Sequence, residues 1–289
     1  MGACIRLRLP VRPLGNRFKR LSTADSCLYL EQINEAYRHY ARTGMSGRVC
    51  EIGPGNTYAP AVLFAREGAT QIHFVDRFDF VPGPEDEPIR RQLFAQNQAR
   101  LAESRLTLPA IMARVHCHHG LPVEQFFARS DTGTFDFIGS NAVLEHVSDP
   151  LGALDQMYAA LNPGGVMVHL VDLRCHRLFR RIGPLEWLKI PARWHARLIR
   201  HSALPNRILC HEYQNWARRC GTAEVHLRKW IGNETYSSDT HGRPPAPELL
   251  ANATALIDAQ RHEFAAGFQS VPTEQLAVAV IALVARKPA

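Results

Sequence analysis

The sequence predicts a doubly wound α/β fold, a parallel sheet with helices on both faces. Short β-rich runs alternate with longer helical stretches over residues 48–173, the rhythm of βαβ units. The first run ends in an acid followed by a glycine pair, and the second ends in another acid, as in a strand-to-helix turn that receives a nucleoside. Ahead of these lies an N-terminal helix. Ser22 to Asp25 reads as its start, and Leu28, Leu30, Ile33, Tyr37 and Tyr40 recur at helical spacing until Gly44. Strand Arg48–Ile52 follows, then helix Tyr58–Glu67, strand Gln71–Val75, helix Ile89–Glu103 and strand Ala110–Cys117. Strand Phe135–Gly139, helix Pro150–Leu161 and strand Val166–Leu173 complete the alternation.

After Asp172 the rhythm stops, and a segment rich in Arg, Trp, His and Pro runs to about Gly221, an insertion by composition. Ala223–Trp230 and Leu276–Lys287 read as two further strands, with a helix-like stretch Pro247–Ala265 between them. No internal repeat or low-complexity tract is present. The expected organisation is a basic arm, 1–22, and one domain, 23–289, bearing a mostly helical lid insertion at about 173–221.

With 289 residues, 46% of them apolar and 21% charged, the chain has the composition of a globular protein and not of a disordered or fibrous one. Seven cysteines, none at CxxC spacing, exclude a disulfide scaffold and a zinc ribbon and fit a reducing, cytoplasmic compartment. The longest apolar run, Leu276–Ala285, is shorter than the roughly 20 residues that span a bilayer. Residues 1–20 carry six cations and no acid, without the apolar stretch and cleavage site of a secretory signal. Pro10 and Pro13 would interrupt the amphipathic helix of a transit peptide.

In Val49-Cys50-Glu51-Ile52-Gly53-Pro54-Gly55-Asn56 the glycines permit a tight turn and let backbone approach a ligand with no Cβ in the way. Asp76, 23 residues after Gly53, ends the second strand, where a carboxylate can accept both hydroxyls of a ribose. A dinucleotide fingerprint would need glycine where Tyr58 stands. S-adenosylmethionine has no phosphate to press against the helix, and its ammonium group favours an acid such as Glu51.

Over about Gly47 to Leu173, and again through the last two strands, the chain resembles the class I S-adenosylmethionine-dependent methyltransferases. Cys50-Glu51-Ile52-Gly53-Pro54-Gly55 matches the family's first motif and Phe74-Val75-Asp76 the ribose acid. Phe135-Asp136-Phe137-Ile138, followed by Ser140 to Val147, is similar to the fourth strand and its turn, and Leu161-Asn162-Pro163-Gly164-Gly165 to the turn before the fifth. The resemblance implies a seven-stranded, mostly parallel sheet with the last strand antiparallel. It places the methionine part of the cofactor near Glu51, Gly53, Pro54 and Gly55 and the ribose on Asp76. The adenine falls between Arg77 and the turn His118-His119-Gly120, which departs from the family's frequent Gly-Asp; within it His119 and Gly120 take the adenine edge. Asn141 faces the methyl-donor pocket. Glu145-His146 reads as a pair that fastens its turn. Some ubiquinone-type O-methyltransferases hold a metal there with Glu-x-x-Glu-His, but Ala142 replaces the first Glu, and His116 to His119 point alternately to opposite faces, so no metal is expected.

Methyl transfer is an in-line displacement, for which an enzyme provides orientation, exclusion of water and, where the nucleophile carries a proton, a base. The fifth strand delivers His169, Asp172, Arg174 and His176 to the sheet edge where such chemistry sits. Asp172, Arg174 and His176 share one face if the chain stays extended, while His169 faces the other way. His176 is the first candidate base, since imidazole titrates near neutral pH; a surface or capping role is its alternative. His169 and Asp172 complete the catalytic candidates.

Residues 173–220 hold eleven cations against Glu186 and Glu212, a local excess of nine. With six more in the arm, a chain of net +7 leaves a remainder of −8. Arg177 with Arg181, and Arg193 with Arg197 and Arg200, fall at helical spacing, with Trp187 and Trp194 as an opposed apolar stripe. Such a basic amphipathic element recognises an anionic substrate, lies on an anionic membrane or grips RNA, and a plain solvated face remains open. Arg outnumbering Lys points to forked recognition of phosphate or carboxylate. The stretch Val168 to His176, with Trp194 and Pro205-Asn206-Arg207, is similar to a bacterial subgroup of these methyltransferases associated with glycan or secondary-metabolite biosynthesis, a resemblance that implies a small-molecule or sugar acceptor. The expected function is methyl transfer from S-adenosylmethionine to an O or N of an anionic small molecule or sugar. RNA methylation through the arm and lid, and a membrane-associated or regulatory protein without catalysis, are the alternatives.

Overall fold

The computed structural model describes residues 21–42, 44–79, 82–129, 133–175, 183–199, 205–231 and 246–289. Residues 1–20 of the predicted basic arm lie outside them, as do His176, Arg177, Arg180, Arg181 and Arg200. Elements follow in the order α1 (Thr23–Ala41), β1 (Gly47–Ile52), α2 (Pro60–Arg66), β2 (Ala69–Val75), α3 (Asp86–Gln96), α4 (Gln98–Glu103), α5 (Leu108–Met112) and β3 (Val115–His118). Then come α6 (Val123–Phe127), β4 (Phe135–Asn141), a 3-10 turn (Leu144–His146), α7 (Pro150–Ala159), β5 (Leu161–Asp172) and a second 3-10 turn (Glu186–Lys189). After these stand α8 (Ala192–Ile199), α9 (Cys210–Cys220), β6 (Ala223–Trp230), α10 (Pro247–Gln260), α11 (Ala266–Gln269), α12 (Thr273–Leu276) and β7 (Val278–Arg286).

The sheet has seven strands in the order β3-β2-β1-β4-β5-β7-β6. β1 runs parallel to β2 and β4, and β2 parallel to β3. Strand order reverses between β1 and β4, the switch point at which doubly wound sheets open a crevice. Gly164 N–H donates to the Lys287 carbonyl and Lys287 N–H to that of Gly165, whereas Leu173 donates to Ala279; partners fall along β7 as β5 rises, so β7 is antiparallel, as the resemblance implied.

Packing groups the described residues into two compact units. One comprises 21–141, Gly152–Val168 and Val284–Ala289. Its α1 begins at Ser22, whose hydroxyl accepts from the Asp25 N–H at 3.1 Å, and ends at Arg42 in the left-handed region. Tyr37 from α1 lies against Phe64 and Phe137, centroids 6.5 and 5.5 Å away, in a core shared by β1, β2 and β4. The other comprises Ala142–Leu151 and His169–Leu283. A core of its own gathers Trp187, Leu188, Trp230, Ile257, Phe264 and Leu276.

Several expectations are corrected. The first half of the predicted strand Ala110–Cys117 is helix α5: the Thr107 hydroxyl caps Ala110 and Pro109 presets the first turn, two signals stronger than local β propensity. Helix Ile89–Glu103 begins earlier, at Asp86, and breaks at Asn97, whose side chain bonds the Leu93 carbonyl. Asn162 to Gly165 belong to β5, because Gly164 and Gly165 pair with the end of β7. α6 is additional. Trp187 and Trp194 do not share a stripe: Trp187 is buried in the 3-10 turn, Pro191 ends that segment, and Trp194 lies exposed on α8.

Candidate active site

In the first unit, parallel pairing sets Glu51 of β1 opposite Phe74 of β2 and Gly139 of β4. Glu51 is buried; the Tyr37 hydroxyl donates to its Oε1 at 3.4 Å, and Oε2 is buried without a hydrogen-bond partner among the described residues. Burial raises this carboxyl to about 8, against the opposing pull of Tyr37. Gly139 makes room for Tyr37: a Cβ there would lie 3.1 Å from Tyr37 Cζ and 2.8 Å from the Phe137 ring.

Gly53 and Gly55 take φ of 68° and 76°, the left-handed region that favours glycine, on either side of Pro54. The Gly53 N–H donates to the Val75 carbonyl at 2.8 Å, and the Gly55 N–H donates to the carboxyl of Asp76. The Phe78 N–H donates to the same carboxyl at 2.9 Å. Burial raises Asp76 to about 6 although both hydrogen bonds and Arg77 oppose it. Arg77 extends over the Phe78 ring. The β3–α6 turn is tied to this loop by Gly120 N–H donating to the Phe78 carbonyl and Leu121 N–H to that of Asp76, at 3.2 and 3.0 Å. A Cβ built on Gly55 or Gly120 would meet no atom within 4 Å, so backbone at both turns faces open space.

Tyr58, where a dinucleotide site has its third glycine, stacks between Phe74 and His119, with centroids 5.9 Å from each. Its hydroxyl lies 2.8 Å from His119 Nε2, and its N–H donates to Asp86 at 2.7 Å. Glu51 near the end of β1 is thus followed by Gly53, Gly55, Asp76, Arg77, His119 and Gly120 on neighbouring loops laced by backbone hydrogen bonds. Asn141, at the end of β4, donates to the Tyr29 hydroxyl at 3.0 Å. His116 and His118 point to the face opposite Cys117 and His119: both stack on His73, centroids 4.8 and 5.3 Å away. Among the described residues no group of three or more His, Cys, Asp or Glu is arranged to hold a metal ion.

In the second unit the turn after β4 is fastened from a distance in sequence. Asn206 Nδ2 donates to the carbonyls of Leu144 and Val147 at 2.7 and 2.9 Å, and its backbone N–H donates to that of Glu145. Glu145 is buried, and desolvation, then the charge of Asp172, pushes its carboxyl well above the usual range, with Arg174 opposing. Asp172 ends β5 and is gripped by Arg174 through two contacts of 2.9 and 2.7 Å. The Arg174 N–H also turns back onto Asp172, at 3.1 Å, so the extended run that would have aligned Asp172, Arg174 and His176 ends at Asp172. His169 is fully buried and depressed to about 3 by desolvation; it is neutral at physiological pH. Tyr37, Gly139, Tyr58 and Asn206 shape these sites without having been singled out as site residues. Tyr37 carried only a helical core pattern, and nothing in the sequence around Asn206 names its partner.

Among the described residues no helix is long and apolar enough to cross a membrane. No curated protein sequence matches the chain. Of solved structures, an S-adenosylmethionine-dependent methyltransferase from Mesorhizobium loti is 15% identical, with 89% of this chain and 100% of that one aligned at a TM-score of 0.45. Phosphoethanolamine N-methyltransferase 2 of Haemonchus contortus, in complex with phosphomonomethylethanolamine and S-adenosylhomocysteine, is 17% identical over 90% of this chain, TM-score 0.45. The chain spans 53% of that protein. The [4+2]-cyclase SpnF is 15% identical, with 89% and 80% aligned at a TM-score of 0.44. A family model described as a methyltransferase domain matches residues 26–228, well over half the sequence. With the motif order and strand order above, that match decides the matter: the chain belongs to the class I S-adenosylmethionine-dependent methyltransferases.

Proposed function

We propose that the protein methylates an oxygen or nitrogen of an anionic small molecule or sugar, in the cytoplasm, with residues 173–221 serving as a lid. The observation that carries the donor side is Glu51, a buried carboxyl whose Oε2 has no partner among the described residues, followed by a glycine turn in which Gly55 leaves backbone open to a ligand. A cationic ammonium beside it would restore the charged form that burial disfavours. In this reading Glu51 binds the methionine ammonium, and backbone at Gly53, Pro54 and Gly55 accommodates the chain behind it. Asp76 takes the ribose hydroxyls, Arg77, His119 and Gly120 border the adenine, and Asn141 lines the donor pocket. When bound, S-adenosylmethionine supplies an electrophilic methyl group on sulfur. The acceptor side rests on the cation excess of residues 173–220.

His176 remains the proposed base where the acceptor carries a proton. Asp172, held by Arg174, is proposed as a positioning residue. His169, neutral over the working range, accepts or donates a hydrogen bond but is a weak base. Calorimetry with S-adenosylhomocysteine tests the donor half: the wild type binds, and Asp76→Ala weakens binding by about tenfold or more, as expected for losing charge-assisted hydrogen bonds. Undiminished binding to that variant overturns the assignment. Cofactor turnover over a panel of phosphorylated, uronic and carboxylated metabolites tests the acceptor half; turnover confined to neutral acceptors overturns it.

A further inference from the structure

Helix α8 differs from the rest of the described surface. Of the four tryptophans, Trp187, Trp216 and Trp230 are at most 7% exposed, whereas Trp194 is 50% exposed. Leu198, one turn further along the same face, is 45% exposed. Arg193 and Arg197 form a second row, about 100° around the helix axis from the first. The Arg193 guanidinium stands 5.7 Å from the Trp194 ring. The inward side is anchored: His195 is buried, its Nε2 3.1 Å from the Pro205 carbonyl and its ring 6.3 Å from that of Trp187. Residues 191–211 contain no acid.

We infer that α8 is a docking surface for an anionic lipid bilayer. Trp194 and Leu198 seat at the boundary of headgroups and acyl chains, and Arg193 and Arg197 engage lipid phosphates. The indole has an apolar body and one polar N–H, which suits that boundary. Guanidinium forks match phosphate oxygens and hold them at the rim of the inserted face. A single-stranded nucleic acid would use the ring and the cations but gains little from an exposed leucine. A second copy of the chain, meeting this face about a two-fold axis, would bring like-charged arginine rows together. Docking here is independent of the methyl acceptor.

The test uses the full chain with vesicles of phosphatidylcholine, with and without phosphatidylglycerol, some carrying brominated acyl chains. The wild type sediments only with the anionic vesicles, and brominated lipid quenches its fluorescence; Trp194→Ala loses the quenching because the remaining tryptophans are buried. Arg193→Glu with Arg197→Glu lowers binding at least about tenfold, and Lys at both positions largely keeps it. Circular dichroism and thermal unfolding confirm that these exposed substitutions leave the fold intact. Unchanged sedimentation of the Glu variant would assign the attraction to another basic segment and overturn the proposal. So would absence of quenching in the wild type, or tighter binding of the same residues to a single-stranded RNA oligonucleotide than to vesicles.

Discussion

Glu51 and Glu145 are both buried carboxyls near the carboxyl end of a sheet strand, and both are raised by desolvation. Their surroundings differ. Glu145 has charges of both signs near it, Asp172 raising and Arg174 lowering its titration, in a turn held by Asn206. Among the described residues Glu51 has a single phenol donor, and one of its oxygens has no hydrogen-bond partner. A buried acid with a built-in countercharge serves its own turn; one without a countercharge is suited to a ligand that brings it. That contrast separates the proposed donor side, readable as a continuous motif, from the turn after β4, where the same residue type sits beside charges of its own unit.

The largest effect that would sharpen the contrast is Glu51→Gln. Loss of a desolvated carboxylate–ammonium pair costs about 2–4 kcal/mol, so S-adenosylhomocysteine affinity falls about thirtyfold or more by calorimetry. The same change stabilises the free protein at alkaline pH. The folded carboxyl titrates near 8 and the unfolded one near 4.5, so its contribution is fully present below 4.5 and lost as pH rises through 8. Glu51→Gln therefore raises Tm at pH 8 and leaves it unchanged at pH 4. An equal gain at both values breaks the interpretation.

Asn206→Ala removes two side-chain hydrogen bonds that fasten the turn after β4 and leaves buried carbonyls unpaired, a loss of about 2–3 kcal/mol in urea unfolding. Cofactor affinity measured in the same variant tells whether Glu145 and its turn matter to the donor side at all; the contrast predicts no change beyond about twofold.

Each unit also holds a buried neutral histidine, His73 in the first and His169 in the second, both depressed to about 3 from an ordinary 6.5. The unfolded chain takes up protons first as pH falls, so stability is lost between about 6.5 and 3, by up to about 1.4 kcal/mol per pH unit for each group. Replacing His169 by Gln flattens part of that acid slope in denaturant midpoints; an unchanged slope rules out its contribution.

The smallest expected effect compares Gly55→Ala with Gly164→Ala. Both glycines have φ near 76°, and at both a Cβ meets nothing within 4 Å. Each substitution costs about 1–2 kcal/mol of backbone strain, but only Gly55→Ala weakens cofactor binding. Equal affinity in the two variants removes Gly55 from the site.

Much of the alternation was legible because strand and helix periods differ and Gly, Pro and Ser mark their ends. Ser22 capped the expected helix, and Ala223–Trp230 came out with its predicted limits. α5 was missed because a short apolar run with β-branched neighbours has no period of its own, and its Thr cap and Pro were the only local signs. The tryptophan stripe failed because i, i+7 spacing assumes an unbroken helix across Pro191. Site geometry was legible only where a motif is continuous in sequence, as at Glu51 to Gly55. Asn206 lies about sixty residues from the turn it fastens, and no periodicity encodes that pairing.

By itself the sequence determined the doubly wound architecture, the glycine turn from Glu51 to Gly55 and the uneven placing of charge, because each follows from local pattern. Tertiary structure alone decided that Tyr37 reaches Glu51 through the space left by Gly139, that Arg174 turns back onto Asp172, and that Trp194 faces water while Trp187 does not. Those outcomes depend on which distant surfaces meet, and burial and pairing set the protonation of a carboxyl or the exposure of an indole only once they have met.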